Sequence, residues 1–330
     1  MDFSIKGPDP FNILTSTKNI LESAQYVFLN ENSIKKTAVD ISPHLNESTD
    51  TLGEGFNRLA SFEDNLQLAF IEDSVNFCFW SDINVPRWQV EYPSGDITEG
   101  GWFALQKCFE RAIAEEVPVL DAGYLANITT DETARIFRSA NEHIIPLVEE
   151  RCACLREAGL VLLDKYHGKF INVLESSGYD AVRLVRQIVE DFPCFQDVSL
   201  FQGTRIPFLK RAQIVANDVS YVLDMNRRFR LKNFNQLTAF ADYKIPQILR
   251  FLGVTSYEKK LANKIDMGEN ISQGSQEEIE IRSGAIWGVE LLRQELQNKY
   301  SAAMIDNALW ILSQKQAGMP PYHRTRTIFY

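Results

Sequence analysis

Residues 180–192 read DAVRLVRQIVEDF, and the spacing of their apolar side chains decides the fold class. Val182, Val185, Ile188 and Val189 recur every three or four residues, so a 3.6-residue helix gathers them on one face and leaves the charged residues on the other. Phe192 continues the stripe, and Pro193, with no amide hydrogen to donate, stops it. The same pattern holds toward the C-terminus in KRAQIVANDVSYVLD (210–224), AIWGVELLRQELQNKY (285–300) and AAMIDNALWILSQKQ (302–316), the last ended by Gly318 and Pro320. Toward the N-terminus, LVEERCACLREAGLVLL (147–163) is a helical run. DETARIF (131–137) is another, with Thr130 as its expected N-cap and an acidic first turn. Helical signal dominates from residue 129 onward.

The first 128 residues are more mixed. ALQKCFERAIAEEV (104–117) puts Leu105, Phe109, Ala112 and Ile113 on one helical face, and SIKKTAVDIS (33–42) predicts a short helix capped by Ser33. RWQVEY (87–92) alternates, with Trp88, Val90 and Tyr92 on one side, and the turn PSGD (93–96) predicts a β-hairpin running on to Gly100, Gly101 and Trp102. NLQLAFIEDSVNFCFW (65–80) has no decisive period and reads either as a buried strand or as an irregular pocket wall. The expected fold is mostly α with a small β-hairpin element. A chain of 330 residues suits one domain over 1–330, with two packed lobes meeting near residues 128 and 129.

Composition narrows the function. The net charge of -10, from 44 acidic and 34 basic residues, argues for a small-molecule ligand rather than duplex DNA or tRNA. No stretch of about 18 apolar residues predicts a membrane span. The opening MDFSIKGPDPFNIL has no secretory pattern, so cytoplasmic location is the default expectation. Five scattered cysteines do not form a disulfide framework, and Cys152 and Cys154, two apart on a helix, point to different sides. With His44, His143, His167 and His323 each isolated, no metal spacing is present and no cofactor is expected.

Four stretches combine polar groups with aromatics. Asp73-Ser-Val-Asn76-Phe77-Cys-Phe79-Trp80 is either a core strand or a site in which Asp73 and Asn76 read the edge of a purine-like base stacked on Phe77 and Trp80. In FLKRAQIVAND (208–218), Lys210 and Arg211 open a helix where the macrodipole disfavours cations; the plain reading is that Lys210 reaches solvent. In FADYKIPQILRFLGV (240–254), Asp242 precedes a helix with Pro246 in its early turn. It is either a structural cap or a buried carboxylate, fixed by helix-terminal N–H groups, that stabilises or attacks an oxocarbenium-like centre. In GMPPYHRTRTIFY (318–330), a tail too aromatic to be disordered, His323, Arg324 and Arg326 either form surface ion pairs or bind phosphate. Glu280 and Trp287, in EEIEIRSGAIWGVELLR (277–293), add polar and aromatic groups nearby.

DSVNFCFW, PLVEER, LFQGTRIPFLKRAQI, FADYKIPQILRFLG, EIEIRSGAIWGVELLR and YHRTRTIFY occur in that order, and together they make the chain resemble the queuosine salvage proteins, N-glycosylases of queuosine 5′-phosphate. That family is similar to the helix-hairpin-helix DNA glycosylases. The resemblance implies a helical bundle and hydrolysis of the N-glycosidic bond of queuosine 5′-monophosphate, or of queuosine, to release queuine for reuse in tRNA modification. It implies Asp242 and Lys210 as the catalytic pair. Because no G-x-G hairpin lies between them, it implies attack by water rather than a Schiff base. Asp73, Asn76, Phe77, Trp80 and Glu280 are then the expected base-binding residues. His323, Arg324 and Tyr243 are the expected ribose and phosphate contacts. The implied substrate is a 7-deazaguanine nucleotide with a cyclopentenediol on an aminomethyl arm. A non-catalytic queuine-binding protein and a base-excision DNA glycosylase are the alternatives.

Overall fold

In the computed structural model, residues 1–45, 54–56, 58–226 and 228–330 are described. Helices α1 (Ile13–Glu22), α2 (Glu31–Ile41), α3 (Phe62–Ser74), α4 (Trp102–Ala114), α5 (Ala122–Asn127), α6 (Thr130–Ile136) and α7 (Val148–Tyr166) make up the first half. They are followed by α8 (Phe170–Ser176), α9 (Ala181–Asp191), α10 (Lys210–Met225), α11 (Lys244–Phe251), α12 (Lys259–Asp266), α13 (Gln276–Glu295) and α14 (Ala302–Lys315). The mostly α reading holds. The stripe of α9 buries Val182, Val185 and Ile188 as its spacing demands. No helix among the described residues is long and apolar enough to cross a membrane.

Among the described residues the strands form three antiparallel pairs. Strands β2 (Gln89–Glu91) and β3 (Ile97–Glu99) are the expected hairpin, with Trp88 and Val90 turned inward. A second hairpin joins β4 (Val198–Phe201) to β5 (Thr204–Pro207). Its turn residues Gln202 and Gly203 both have positive φ, 49° and 78°, which suits the twist of a two-residue hairpin. The third pair, β1 (Val27–Leu29) with β6 (Thr255–Tyr257), joins segments distant in sequence.

Three local expectations are corrected. The stretch 65–80 is not a strand: Asn65–Ser74 belongs to α3 and is buried on every side, so it shows no polar face from which a period could be read, while 75–80 is irregular, as the second reading had it. Helix α2 begins earlier than expected: Asn30 is its cap, accepting a bond from the Ser33 amide at 3.1 Å. Helix α6 is capped by Thr129 rather than Thr130, in a reciprocal box with Glu132.

The main apolar core extends from Ile13 to Leu309. At its centre α13 is buried from Glu278 to Leu292. Gly284 lets this helix lie against β1, since a methyl group there would stand 2.8 Å from Val27 Cγ1. The tail docks as expected: the Cys78 amide donates to Tyr330 O at 2.9 Å, and Tyr330 Oη donates to Glu278 at 2.9 Å.

Candidate active site

After α3 the chain runs without regular structure through Val75–Trp80, fully buried, with Cys78 at φ 42°. Buried carbonyls outside a helix or sheet need other donors, and three cations supply them. Arg151, from α7, donates to Val75 O and Phe77 O, and to Cys78 O at 3.1 Å. Arg211 donates to Ser74 O at 2.5 Å, and the Lys210 ammonium donates to Asn76 O at 3.1 Å. Both guanidinium groups also stack on the Phe77 ring, at 4.4 and 5.1 Å. Lys210 therefore does not reach solvent; it is 4% exposed.

A fourth buried cation ties this wall to Asp242. Arg282, on α13, grips Asp197 through two bonds of 2.8 and 2.6 Å. Asp197 in turn accepts the Lys210 amide at 3.0 Å, which caps α10 and offsets the two cations at its start. The Nε of Arg282 donates to Ala241 O at 2.9 Å and so fixes the residue before Asp242. Asp242 caps α11: one oxygen accepts the amides of Lys244 at 2.7 Å and Ile245 at 2.9 Å. The other oxygen has no partner among the described residues, and Asp242 lines a cavity.

That cavity has two chambers sharing Asn76, Trp102, Lys210, Asp242 and Trp310. The inner one, about 540 Å³ of free space out to its mouth, is walled by Phe56, Phe240 and Ile214 and floored by Asn217, Asp218, Asp306 and Asn307. The outer one, about 720 Å³, adds Phe77, Tyr243, Tyr322, Arg87, Lys244 and the Gly100–Gly101 turn where α4 begins. The electrostatics differ between the two. Burial pushes the Asp73 carboxyl up to about 8, against the pull of the Asn76 hydrogen bond and Lys210. Burial also holds Asp218 and Asp306 well above the usual carboxylate range, reinforced by Asp73 for the first and Asp242 for the second. Lys210 is lowered by burial, opposed by Asp242 and Asp73. In the outer chamber, burial lowers Lys244, whose ammonium bonds Gln247 at 2.9 Å; neither it nor Arg87 is in an ion pair among the described residues.

A family model described as queuosine salvage protein matches residues 57–330. The chain belongs to the queuosine salvage protein family. Curated relatives cover it almost end to end. A Sphaerobacter thermophilus protein is 39% identical over 98% of each chain. Proteins from Bos taurus and Mus musculus are each 33% identical, over 96% and 98% of this chain and 97% and 100% of their own. All three are named queuosine 5′-phosphate N-glycosylase/hydrolase.

Of the residues expected in this queuosine salvage protein's site, Asp242, Lys210 and Asn76 line both chambers, and Phe77 and Tyr243 line the outer one. Asp73 stands behind Asn76, bonded to its amide at 3.2 Å. Four others are not brought to the cavity. Glu280 accepts the main-chain amides of Gln25, Tyr26 and Val27 at 2.7–3.1 Å, which anchors β1. Trp80 stacks outward under Arg324 and Arg326, at 5.7 and 5.0 Å. Neither Trp80 nor Arg324 lines either chamber. His323 is 2% exposed beside the Tyr330 hydroxyl, burial lowers it to about 3, and it lines neither chamber. The floor residues Asn217, Asp218, Asp306 and Asn307 were not anticipated. Their signal is an Asn–Asp or Asp–Asn pair inside an otherwise apolar helix, where Asx residues are disfavoured.

Proposed function

We propose that this protein hydrolyses the N-glycosidic bond of queuosine 5′-phosphate and releases the free base queuine. The observation that carries the proposal is the place of Asp242. One of its oxygens is held by two helix-terminal amides and the other is unpartnered among the described residues, at the junction of two aromatic-lined chambers, one carrying Asp218 and Asp306 and the other Arg87 and Lys244. The shared name of the curated relatives supports the same reaction and substrate.

The base occupies the inner chamber between aromatic walls, with Asn76 at its edge, and the sugar lies at the junction. The phosphate lies outside, near Arg87 and Lys244, where α4 begins without a side-chain cap. This moves the phosphate role away from His323 and Arg324. As the bond from C1′ to the base nitrogen lengthens, the base takes the electron pair and positive charge grows on the sugar. Asp242 stabilises that charge and accepts a proton from water on the face opposite the base. The hydroxyl adds to C1′, and the departing base gains a proton. The products are queuine and ribose 5-phosphate. Lys210 sets the field around Asp242 and holds the Asn76 carbonyl; it forms no covalent intermediate.

We read residues 1–330 as one functional unit, because Phe56, Asn76 and Trp102 face Lys210, Asp242 and Trp310 across the cavity. Five buried thiols, none in a disulfide, suit work in a reducing compartment such as the cytoplasm. The test is incubation with queuosine 5′-phosphate, without added metal, followed by mass spectrometry for queuine and ribose 5-phosphate. Intact nucleotide after confirmed binding would make the protein a carrier and not an enzyme.

A further inference from the structure

We infer that Cys154 and Cys194 form a redox-active dithiol, a modification site one side chain away from the active-site wall, which a hydroperoxide converts to an internal disulfide.

The two thiols meet because of how α7 is tied to the turn after α9. Pro193–Phe195 forms a single 3₁₀ turn, and the Cys194 amide there donates to Glu157 Oε1 at 2.8 Å. Glu157 lies three residues after Cys154 on α7, so the two side chains leave the helix on the same face. The bond therefore sets the Cys194 backbone against the stretch of α7 that carries Cys154. A hydrogen bond between the two thiols completes the contact. Arg211 closes the cluster from α10. It donates to Cys194 O and, at 2.5 Å, to Ser74 O, and its guanidinium lies over the Phe195 and Phe77 rings at 4.6 and 5.1 Å. One side chain thus joins the thiol pair to the start of the irregular wall.

A thiol reacts as its thiolate, and only where an oxidant reaches it. The pair is favoured on both counts. The hydrogen bond with Cys194 brings the Cys154 thiol down to about 7 against burial, and the Arg211 charge assists. Burial pushes Cys108 up to about 12 and also raises Cys78. Cys194 is 7% exposed and Cys154 3%, whereas Cys78 and Cys108 are 0% exposed. Cys152 is held as a thiol by its bond to Ile128 O at 3.5 Å. Hydrogen peroxide, close to water in size, is the simplest oxidant of the class. The Cys154 thiolate attacks one peroxide oxygen and the O–O bond breaks. The departing hydroxide takes up the proton that Cys154 gave up and leaves as water, and Cys154 becomes a sulfenic acid. The Cys194 sulfur then attacks the Cys154 sulfur, the S–O bond breaks, and the Cys194 proton leaves with that oxygen as a second water. Two thiols have lost two electrons, and one peroxide has gained them. A disulfide is shorter than any hydrogen bond between the same sulfurs. Closing it moves the Cys194 carbonyl, and with it the Arg211 group that also holds Ser74 O.

The experiment treats the full-length, ligand-free protein with hydrogen peroxide, blocks the remaining thiols with iodoacetamide, digests without reductant and reads the peptides by mass spectrometry. The Cys154 and Cys194 peptides should appear cross-linked, with Cys78, Cys108 and Cys152 alkylated, and dithiothreitol should release the bridge. A bridge between other cysteines would overturn the inference. So would the absence of any bridge at a peroxide dose that already oxidises exposed methionines. This arm needs neither a variant nor any activity. Turnover of queuosine 5′-phosphate by the bridged protein should fall about 3–30-fold and recover on reduction, since a displacement of about 1 Å near reacting groups can cost up to about 100-fold. Unchanged turnover in bridged protein would overturn the link through Arg211. Cys194→Ser should keep the turnover of the reduced wild type and show no loss that a reductant reverses; the same reversible loss in this variant would also overturn the link. Absence of turnover in the reduced wild type would sink the hydrolase reading alone, and the peptide result would still decide the dithiol.

Discussion

At the scale of single residues, the site is a set of ionisable groups held away from their usual states by burial, and this has a pH signature. Asp73 binds its proton up to about pH 8 in the fold but loses it near 3.8 when unfolded. A raised carboxyl makes stability highest below the unfolded value, and the advantage is lost as pH rises toward the folded one. His323 acts in the opposite sense, because its folded value near 3 makes stability rise between about pH 3 and 6.5. Above pH 6.5 His323 is mostly neutral in both states, and from 6.5 to 8 the carboxyl groups are opposed only by Cys154 among the lowered groups, whose hydrogen bond with Cys194 brings its thiol down to about 7. There we expect the unfolding free energy of the ligand-free protein to fall by up to about 1.4 kcal/mol per pH unit for Asp73 alone. Asp73→Asn should flatten that slope; urea titrations at three pH values measure it, and an unchanged slope would remove Asp73 as its source. A second expectation concerns phosphate. Lys244→Ala should raise KM for the nucleotide about tenfold and leave the nucleoside nearly unchanged, whereas Arg324→Ala should do little to either. Steady-state kinetics on both substrates decide this. Nothing in the tail sequence separates Arg324 from a phosphate ligand. What separates them is the fold, which sets Arg324 outside both chambers and over Trp80, a contact made across more than two hundred residues of chain.

At the scale of elements, close helix approach is the controlling feature. Gly159 lies in the middle of α7 where a Cβ would collide with the backbone of α5, at Ala126 N and at Ala122 O. Alanine normally favours a helix over glycine by about 1 kcal/mol. Here the clash is with main chain that cannot step aside, so Gly159→Ala should destabilise by about 1–3 kcal/mol, read from the urea midpoint. A stabilised variant would show that the helices have room to separate. The elements legible in the sequence were those with one wet face, such as α9 and the β2–β3 hairpin, since alternation or a 3.6-residue period survives only where polar residues mark the outside. Helix α3 was illegible because it has no outside. The irregular wall that follows it could be suspected from DSVNFCFW, but its conformation depends on Arg151, Arg211 and Lys210, which arrive from two other helices. Asp242 was legible as a helix-start carboxylate, because a carboxylate before a helix with an early proline is a local signal that needs no tertiary partner; its expected catalytic role came from the family resemblance.

At the scale of the whole molecule, charge and core connectivity set the limits. A net charge of -10 predicts no retardation of duplex DNA or tRNA at about 150 mM salt; firm binding there would favour the DNA glycosylase alternative. Arg282 links the core to the site by holding both Asp197 and Ala241. Arg282→Met would leave Asp197 buried without its cation and should cost about 3–5 kcal/mol of stability. The central claim is that Asp242 acts on the reacting bond and does not merely cap α11. The most direct test is single-turnover cleavage of queuosine 5′-phosphate by Asp242→Asn, with nucleotide affinity measured on the same sample. The side-chain oxygen of asparagine can still accept the Lys244 and Ile245 amides, so the cap and the binding should persist. The loss of charge should slow cleavage by roughly 100–1000-fold. Cleavage within about threefold of wild type would contradict the claim and return Asp242 to a purely structural cap.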